Sequence, residues 1–271
     1  MLKRILKKTG NWLFFFYYWI GTNIKYDHVF LKRMDEVENI YEEYIKKQDE
    51  FQVYENRKGV CAGYANLFEW FMKEIDVEVE NVSGHIRDER NKYVELESDD
   101  DFRHAWNVVK ISGKWMIVDT TWGTSLNPIV SDYYFDVKPE QSIITHYPKN
   151  KKWQLLDKSL SLDEFNKSKF INRIWFFKGF SDIPKLKKDS KYYYYFIYKT
   201  NPIKEISIDL QFSADNLTFN SIQNITKIDQ DGFTFLKFNK SIITKKAYFK
   251  VNLKKYGNVY YRDVINFKLK P

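Results

Sequence analysis

A chain of 271 residues is long for one domain, and two units, each able to bury a core, are expected from length alone. Aromatic residues make up 18% against 10 Gly and 6 Pro, which excludes a disordered or fibrous chain, and the one cysteine excludes both an intrachain disulfide and a Cys-x-x-Cys zinc site. The net charge of +8 is uneven: residues 1–170 hold 25 basic and 28 acidic side chains (−3), and residues 171–271 hold 19 and 8 (+11).

The opening MLKRILKKTGNWLFFFYYWIG places an apolar run after a basic one, as a secretory signal does. It lacks a small-x-small cleavage site, and Trp12 to Ile20 is too short to span a bilayer as a helix, which needs ~20 residues. A buried first helix over 12–26 is therefore expected, in a cytoplasmic protein, with export as the alternative. Residues 34–54 read as one amphipathic helix with Val37, Ile40, Tyr41, Tyr44 and Ile45 on its apolar stripe, followed by a polar turn to Gly59. Apolar residues then recur at Leu67, Phe68, Phe71 and Met72, predicting a helix from Cys61 to Ile75.

From Val77 the pattern shifts to short strands, VEVENVSGHI, HAWNVVKI and KWMIVDTTW, the last two joined by Ser112-Gly113. The acidic stretch ELESDDDF (95–102) does not have the spacing of a calcium loop and reads as a solvated loop. Beyond residue 170, KYYYYFIY, EISIDLQF, FTFLKF, AYFKVNL and VYYRDVINFKL are separated by turn-rich pieces and predict a small all-β immunoglobulin-like sandwich. The shifts in texture and charge place the boundary between domains at 1–169 and 170–271. No Arg-rich or Gly-rich motif accompanies the basic C-terminal part, so neither nucleic acid nor membrane is expected as a partner, while a protein partner at that domain stays open.

The chemistry-bearing candidate is Cys61, which opens a predicted helix in RKGVCAGYANLF. A helix N-terminus favours thiolate over thiol, its free N–H groups can hold an oxyanion, and Gly59 permits an unusual backbone angle or a close approach by substrate. The thiolate also needs a neighbouring imidazolium. If Ser112-Gly113 is a two-residue hairpin turn, His104 and Asp119 share a face on adjacent strands, near enough for one hydrogen bond; a three-residue loop would reverse this parity. Asp119 would then orient His104, and His104 would take the thiol proton and return it to a leaving group. Trp106, Trp115 and Trp122 read mainly as sheet packing, and His146 with Trp153 as closing the domain.

YWIGTNIKYD (18–27), RKGVCAGYANLF (57–68), HAWNVVKISGKWMIVDTTWG (104–123) and THYPKNKKWQLL (145–156) together resemble the transglutaminase-like superfamily, and most its kyphoscoliosis-peptidase-type branch. The resemblance covers roughly residues 15–166. It implies an α+β class with a papain-like core of helices packed on an antiparallel sheet, and a catalytic triad that falls by motif on Cys61, His104 and Asp119. It implies a cysteine peptidase acting on protein or peptide through a thioester, without cofactor or metal; a protein-crosslinking transglutaminase and a non-catalytic interaction scaffold are the alternatives. Relatives often carry an aromatic or amide oxyanion donor upstream of the Cys, for which Trp19 is a conceivable counterpart.

Overall fold

A computed structural model of the chain describes residues 2–88, 96–97, 103–124, 130–243 and 247–269. Two compact units emerge, one from residues 1–86 and 96–162, the other from 87–95 and 163–271. The first is α+β and the second all-β apart from short helical turns.

In the first unit, helix α1 (Leu2–Asn23) buries Leu13, Tyr17 and Ile20 at helical spacing. Trp12, Phe14, Phe15 and Tyr18 remain half exposed, so the expected buried helix is buried along one face. No helix among the described residues is long and apolar enough to cross a membrane. Strand β1 (Lys25–Tyr26) pairs in parallel with β2 (Lys58–Gly59), which brings the chain just after α1 beside the cysteine turn.

The single amphipathic helix expected over 34–54 is instead three short ones, α2 (His28–Glu36), α3 (Tyr41–Gln48) and α4 (Glu50–Asn56). Local polar chemistry breaks it. Asn39 adopts a left-handed backbone (φ 60°) between α2 and α3, and the Asp49 carboxylate caps α4 by accepting from the Phe51 and Gln52 N–H groups. The anticipated apolar stripe consequently splits: Ile40 and Tyr44 are partly buried, while Val37, Tyr41 and Ile45 face solvent.

Helix α5 (Cys61–Glu74) follows the sequence expectation closely, with Tyr64, Leu67, Phe68, Phe71 and Met72 buried on one stripe. It packs on an antiparallel sheet whose strand order is β6-β5-β4-β3-β7, formed by β3 (Val79–Ile86), β4 (His104–Ile111), β5 (Lys114–Val118), β6 (Phe135–Val137) and β7 (His146–Pro148). Ser112 and Gly113 both have positive φ (52° and 80°), the geometry of a two-residue type I′ turn, and the β4–β5 register runs from Ile111↔Lys114 to Asn107↔Val118. The strand expected over 114–122 stops at Val118. There the Asp119 side chain accepts from the Trp122 N–H and caps the short helix α6 (Thr120–Gly123).

The second unit has two sheets, β13-β14-β10-β9 and β12-β11-β15-β16-β8. Their strands are β8 (Phe170–Ile171), β9 (Lys185–Lys188), β10 (Tyr193–Lys199), β11 (Ile206–Ser213), β12 (Asn220–Ser221), β13 (Thr226–Gln230), β14 (Phe233–Asn239), β15 (Ala247–Lys255) and β16 (Asn258–Leu269). Phe249 and Phe267 stack across β15 and β16 at 4.9 Å, and Phe196 of the other sheet lies 6.5 Å from Phe267, so aromatic rings fill the sandwich. The compact units part between Leu162 and Asp163 rather than at 169/170. The reason is Arg87: its buried guanidinium donates to the Phe165, Ser168 and Lys169 carbonyls and to Ser168 Oγ, tying those residues into the second unit. Of the acidic stretch 95–102, all but residues 96–97 lie outside the described residues.

Candidate active site

The sequence between α4 and α5 fixes where the thiol sits. Val60 is the residue before the helix, and its N–H donates to the buried Gln48 Oε1 at 2.9 Å. Gln48 ends α3, so that helix is pinned to the turn that presents Cys61. Gly59 does not have positive φ, which corrects the expectation of an unusual backbone there; the close approach it permits is by Val53 and Gln48 of the same chain, whose side chains would lie 3.3–3.4 Å from a β-carbon. Cys61 is partly exposed, as the first residue of a 14-residue helix with no acidic side chain in its first turn. The positive end of that helix therefore acts on the sulfur without opposition from its own carboxylates.

His104 opens β4 and is 4% exposed. Its Nε2 lies 2.7 Å from Asp119 Oδ2, and Asp119 is 1% exposed. With Nε2 turned to the carboxylate, Nδ1 is the ring nitrogen left for the Cys61 thiol, on which His104 acts by hydrogen bonding and charge. The Ala105 backbone N–H also points at the sulfur. Cys61, His104 and Asp119, expected from three separate stretches, thus form one continuous chain of contacts.

The charge distribution follows from that contact chain. Burial pushes the Cys61 thiol up, but the hydrogen bond and charge of His104, together with the Ala105 N–H, outweigh it and leave the pKa below the usual thiol value. Burial alone would depress His104; the adjacent Asp119 carboxylate, with help from Cys61, reverses this and raises it to about 10. Asp119 is held far below the ordinary carboxylate range, since the charge and hydrogen bonds of His104, and then His146, overcome the penalty of burial. These directions favour the thiolate–imidazolium form of the Cys61–His104 pair over the neutral one, with the Asp119 carboxylate behind it.

Two tyrosines frame the sulfur. Tyr26, from β1, accepts the Cys61 backbone N–H on its hydroxyl, and burial followed by the sulfur's charge pushes its pKa up. Tyr44, on α3, is pushed up to about 12 by the same two causes. Both phenols stay protonated. Trp19 packs elsewhere: its indole stacks on Tyr54 at 5.5 Å with the Arg57 guanidinium 4.8 Å from the ring, so it is a packing residue.

The residue whose place the sequence did not disclose is His146. Its Nε2 lies 3.0 Å from the same Asp119 Oδ2 that serves His104, and its Nδ1 lies 2.8 Å from Thr145 Oγ1. Trp106 and Trp122 pack against both imidazoles, with ring centroids between 4.5 and 5.9 Å. Trp115, by contrast, meets Trp153 edge to face at 4.8 Å. Among the described residues, His104, Asp119 and His146 also place one potential metal-ligand atom each within 4.8 Å of one another. Both Nε2 atoms aim their hydrogens at Asp119, so a cation would have to displace both of those hydrogen bonds.

Residues 11–120 match the family model described as the Transglutaminase-like superfamily, a span that holds Cys61, His104 and Asp119 but not His146. Among curated proteins the chain is similar to the kyphoscoliosis peptidase of Mus musculus, with 31% identity over 169 residues, covering 59% of this chain and 24% of the relative. The Homo sapiens kyphoscoliosis peptidase is 32% identical over 168 residues, 57% of this chain and 24% of the relative. Hillarin of Drosophila melanogaster is 30% identical over 99 residues, 30% of this chain and 12% of hillarin. The chain spans about a quarter of the length of the kyphoscoliosis peptidases it matches.

Proposed function

We propose that the chain is a cysteine-dependent acyl-transfer enzyme acting on protein or peptide, with water as the acceptor, a reading supported by the match of residues 11–120 to the transglutaminase-like superfamily and by the likeness to the kyphoscoliosis peptidases. One observation carries the reading: the buried His104 holds Asp119 Oδ2 at 2.7 Å from its Nε2 and acts by hydrogen bonding and charge on Cys61 at the start of α5.

In this mechanism the Cys61 thiolate attacks an amide carbonyl, forming a carbon–sulfur bond while the carbonyl oxygen becomes an oxyanion near the N-terminus of α5. The tetrahedral species collapses, the carbon–nitrogen bond breaks, and the leaving amine takes the proton held by His104. Water then attacks the thioester, yielding its proton to His104, and expulsion of the thiolate releases a carboxylic acid. Asp119 keeps the ring oriented and stabilises its cationic form throughout. An amine in place of water would give a crosslink by the same steps.

Incubating the protein with a peptide library and a labelled amine, read by mass spectrometry, tests this. New carboxyl termini that disappear in Cys61→Ala support the peptidase; amine incorporation without cleavage would reassign it as a crosslinking transferase. Neither product from a chain whose Cys61 reacts normally would make the domain an interaction scaffold.

A further inference from the structure

Asp119 receives more hydrogen bonds than a His–Asp pair requires. Oδ1 accepts from the Trp122 N–H at 2.8 Å, while Oδ2 is shared by His104 Nε2 at 2.7 Å and His146 Nε2 at 3.0 Å. All three side chains are at most 4% exposed. A carboxylate oxygen only accepts, so each imidazole must present an N–H to it. For His146 the Thr145 hydroxyl enforces that form: its proton has Nδ1 at 2.8 Å against the Ser142 carbonyl at 3.5 Å, which leaves the ring hydrogen on Nε2. The walls of the cage are Trp106 at 5.1 Å, Trp122 at 4.5 Å and Tyr134 at 6.4 Å. Burial, and next to it the positive charge of His104, hold His146 below the usual imidazole pKa despite the pull of Asp119, so it stays neutral.

We propose that His146 is a positioning residue of the acyl-transfer site, a neutral imidazole whose Nε2–H takes the second lone pair of Asp119 Oδ2, fixing the carboxylate and loosening its hold on the proton of His104. The proposal rests on the acyl-transfer reading of Cys61. A dry carboxylate with one partner would bind the imidazolium tightly enough to slow return of the proton to a leaving amine; a second donor takes part of that acceptor capacity. The groups facing His104 are Asp119 and His146 on one side, Cys61 from α5 on the other, and Tyr26 beyond the sulfur. Of these, His146 is the neutral group bonded directly to Asp119, so its removal leaves both charges of the ion pair and the nucleophile in place.

The test uses the full chain with isotope-labelled histidine. His146→Phe should raise the pH at which His104 loses its proton, leave iodoacetamide labelling of Cys61 at pH 7 within about twofold, and lower kcat/KM for peptide amides about tenfold. Hydrolysis of p-nitrophenyl acetate, whose leaving group needs no proton, should change far less. His146→Gln, which keeps an N–H donor, should recover most of the loss, and Thr145→Val should shift the His104 titration in the same direction by a smaller amount. Should His146→Phe fail to fold, the Gln and Val variants decide. A folded variant with an unmoved His104 titration, or a Gln variant no better than Phe, would overturn the proposal alone. Stoichiometric Zn2+ binding lost in His146→Gln would also overturn it, by making the cluster a metal site. Wild-type Cys61 labelling no faster than an unfolded thiol would instead remove the acyl-transfer reading on which it stands.

Discussion

Gly84 lies opposite His104 in the ladder between β3 and β4, and the space where its side chain would be is filled from β7. A β-carbon there would collide with the Tyr147 carbonyl oxygen, and would stand 2.7 Å from the Trp106 ring and 2.8 Å from Pro148 Cα. Two of those neighbours are backbone, which cannot turn aside. The glycine is what allows β7 to close on β3 and deliver His146 to Asp119.

Gly84→Ala should therefore cost about 1–3 kcal/mol of stability through overpacking. Because the strain separates β7 from β3, the variant should also perturb the His146 ring signals. Urea unfolding and histidine-detected NMR check this, and an unchanged midpoint would mean that the sheet absorbs the methyl group without moving β7.

Asp119→Asn should cost about 3–5 kcal/mol at pH 5–6, since it leaves a buried imidazolium uncompensated or forces it neutral. The sign of the pH dependence is fixed by the two shifts. His104 is raised to about 10, so its contribution is complete below the unfolded value near ~6.5 and is lost as pH climbs toward about 10. Asp119 is depressed, so its contribution is present above ~3.9 and is lost as pH falls below that value. The gap between wild type and Asp119→Asn should be widest between about pH 4 and 6.5 and narrow above it, measured by denaturant unfolding across that range.

How far the sequence discloses this arrangement depends on the range of the interactions. Helix α5 was legible because its apolar spacing is local and uninterrupted, and the His104–Asp119 face was legible because Ser112-Gly113 sets the hairpin register. The break of the 34–54 segment was not, since Asn39 and Asp49 are ordinary polar residues until their backbone and capping roles are seen. His146 was hidden for a different reason: its partner is 27 residues away across two strands. The flag that existed was THYP itself, a histidine on a short strand behind a hydroxyl residue able to fix its tautomer.

Gln48 makes a third case for measurement. Gln48→Met keeps the volume but leaves the Val60 N–H buried without its acceptor, at a cost of about 1–3 kcal/mol. The Val60 amide should exchange with solvent faster, and Cys61 labelling should slow as the turn loosens. Unchanged exchange at Val60 would show that another group takes over.

In the second unit, Arg87→Met should destabilise by about 2–4 kcal/mol, because one buried guanidinium serves the Phe165, Ser168 and Lys169 carbonyls together. Burial holds this guanidinium down to about 10, low for arginine, so Arg87→Lys should not rescue it: an ammonium cannot span that fork. Thermal unfolding of the three proteins decides the point, and a lysine variant as stable as wild type would contradict it.

The most direct measurement is the rate at which iodoacetamide labels Cys61 at pH 7 in native, His104→Ala and urea-unfolded chains. A free thiol of pKa ~8.5 is only about 3% ionised at that pH, so the ion pair predicts native labelling roughly ten- to thirtyfold faster than unfolded, with the difference gone in His104→Ala. Equal rates in all three would contradict the account.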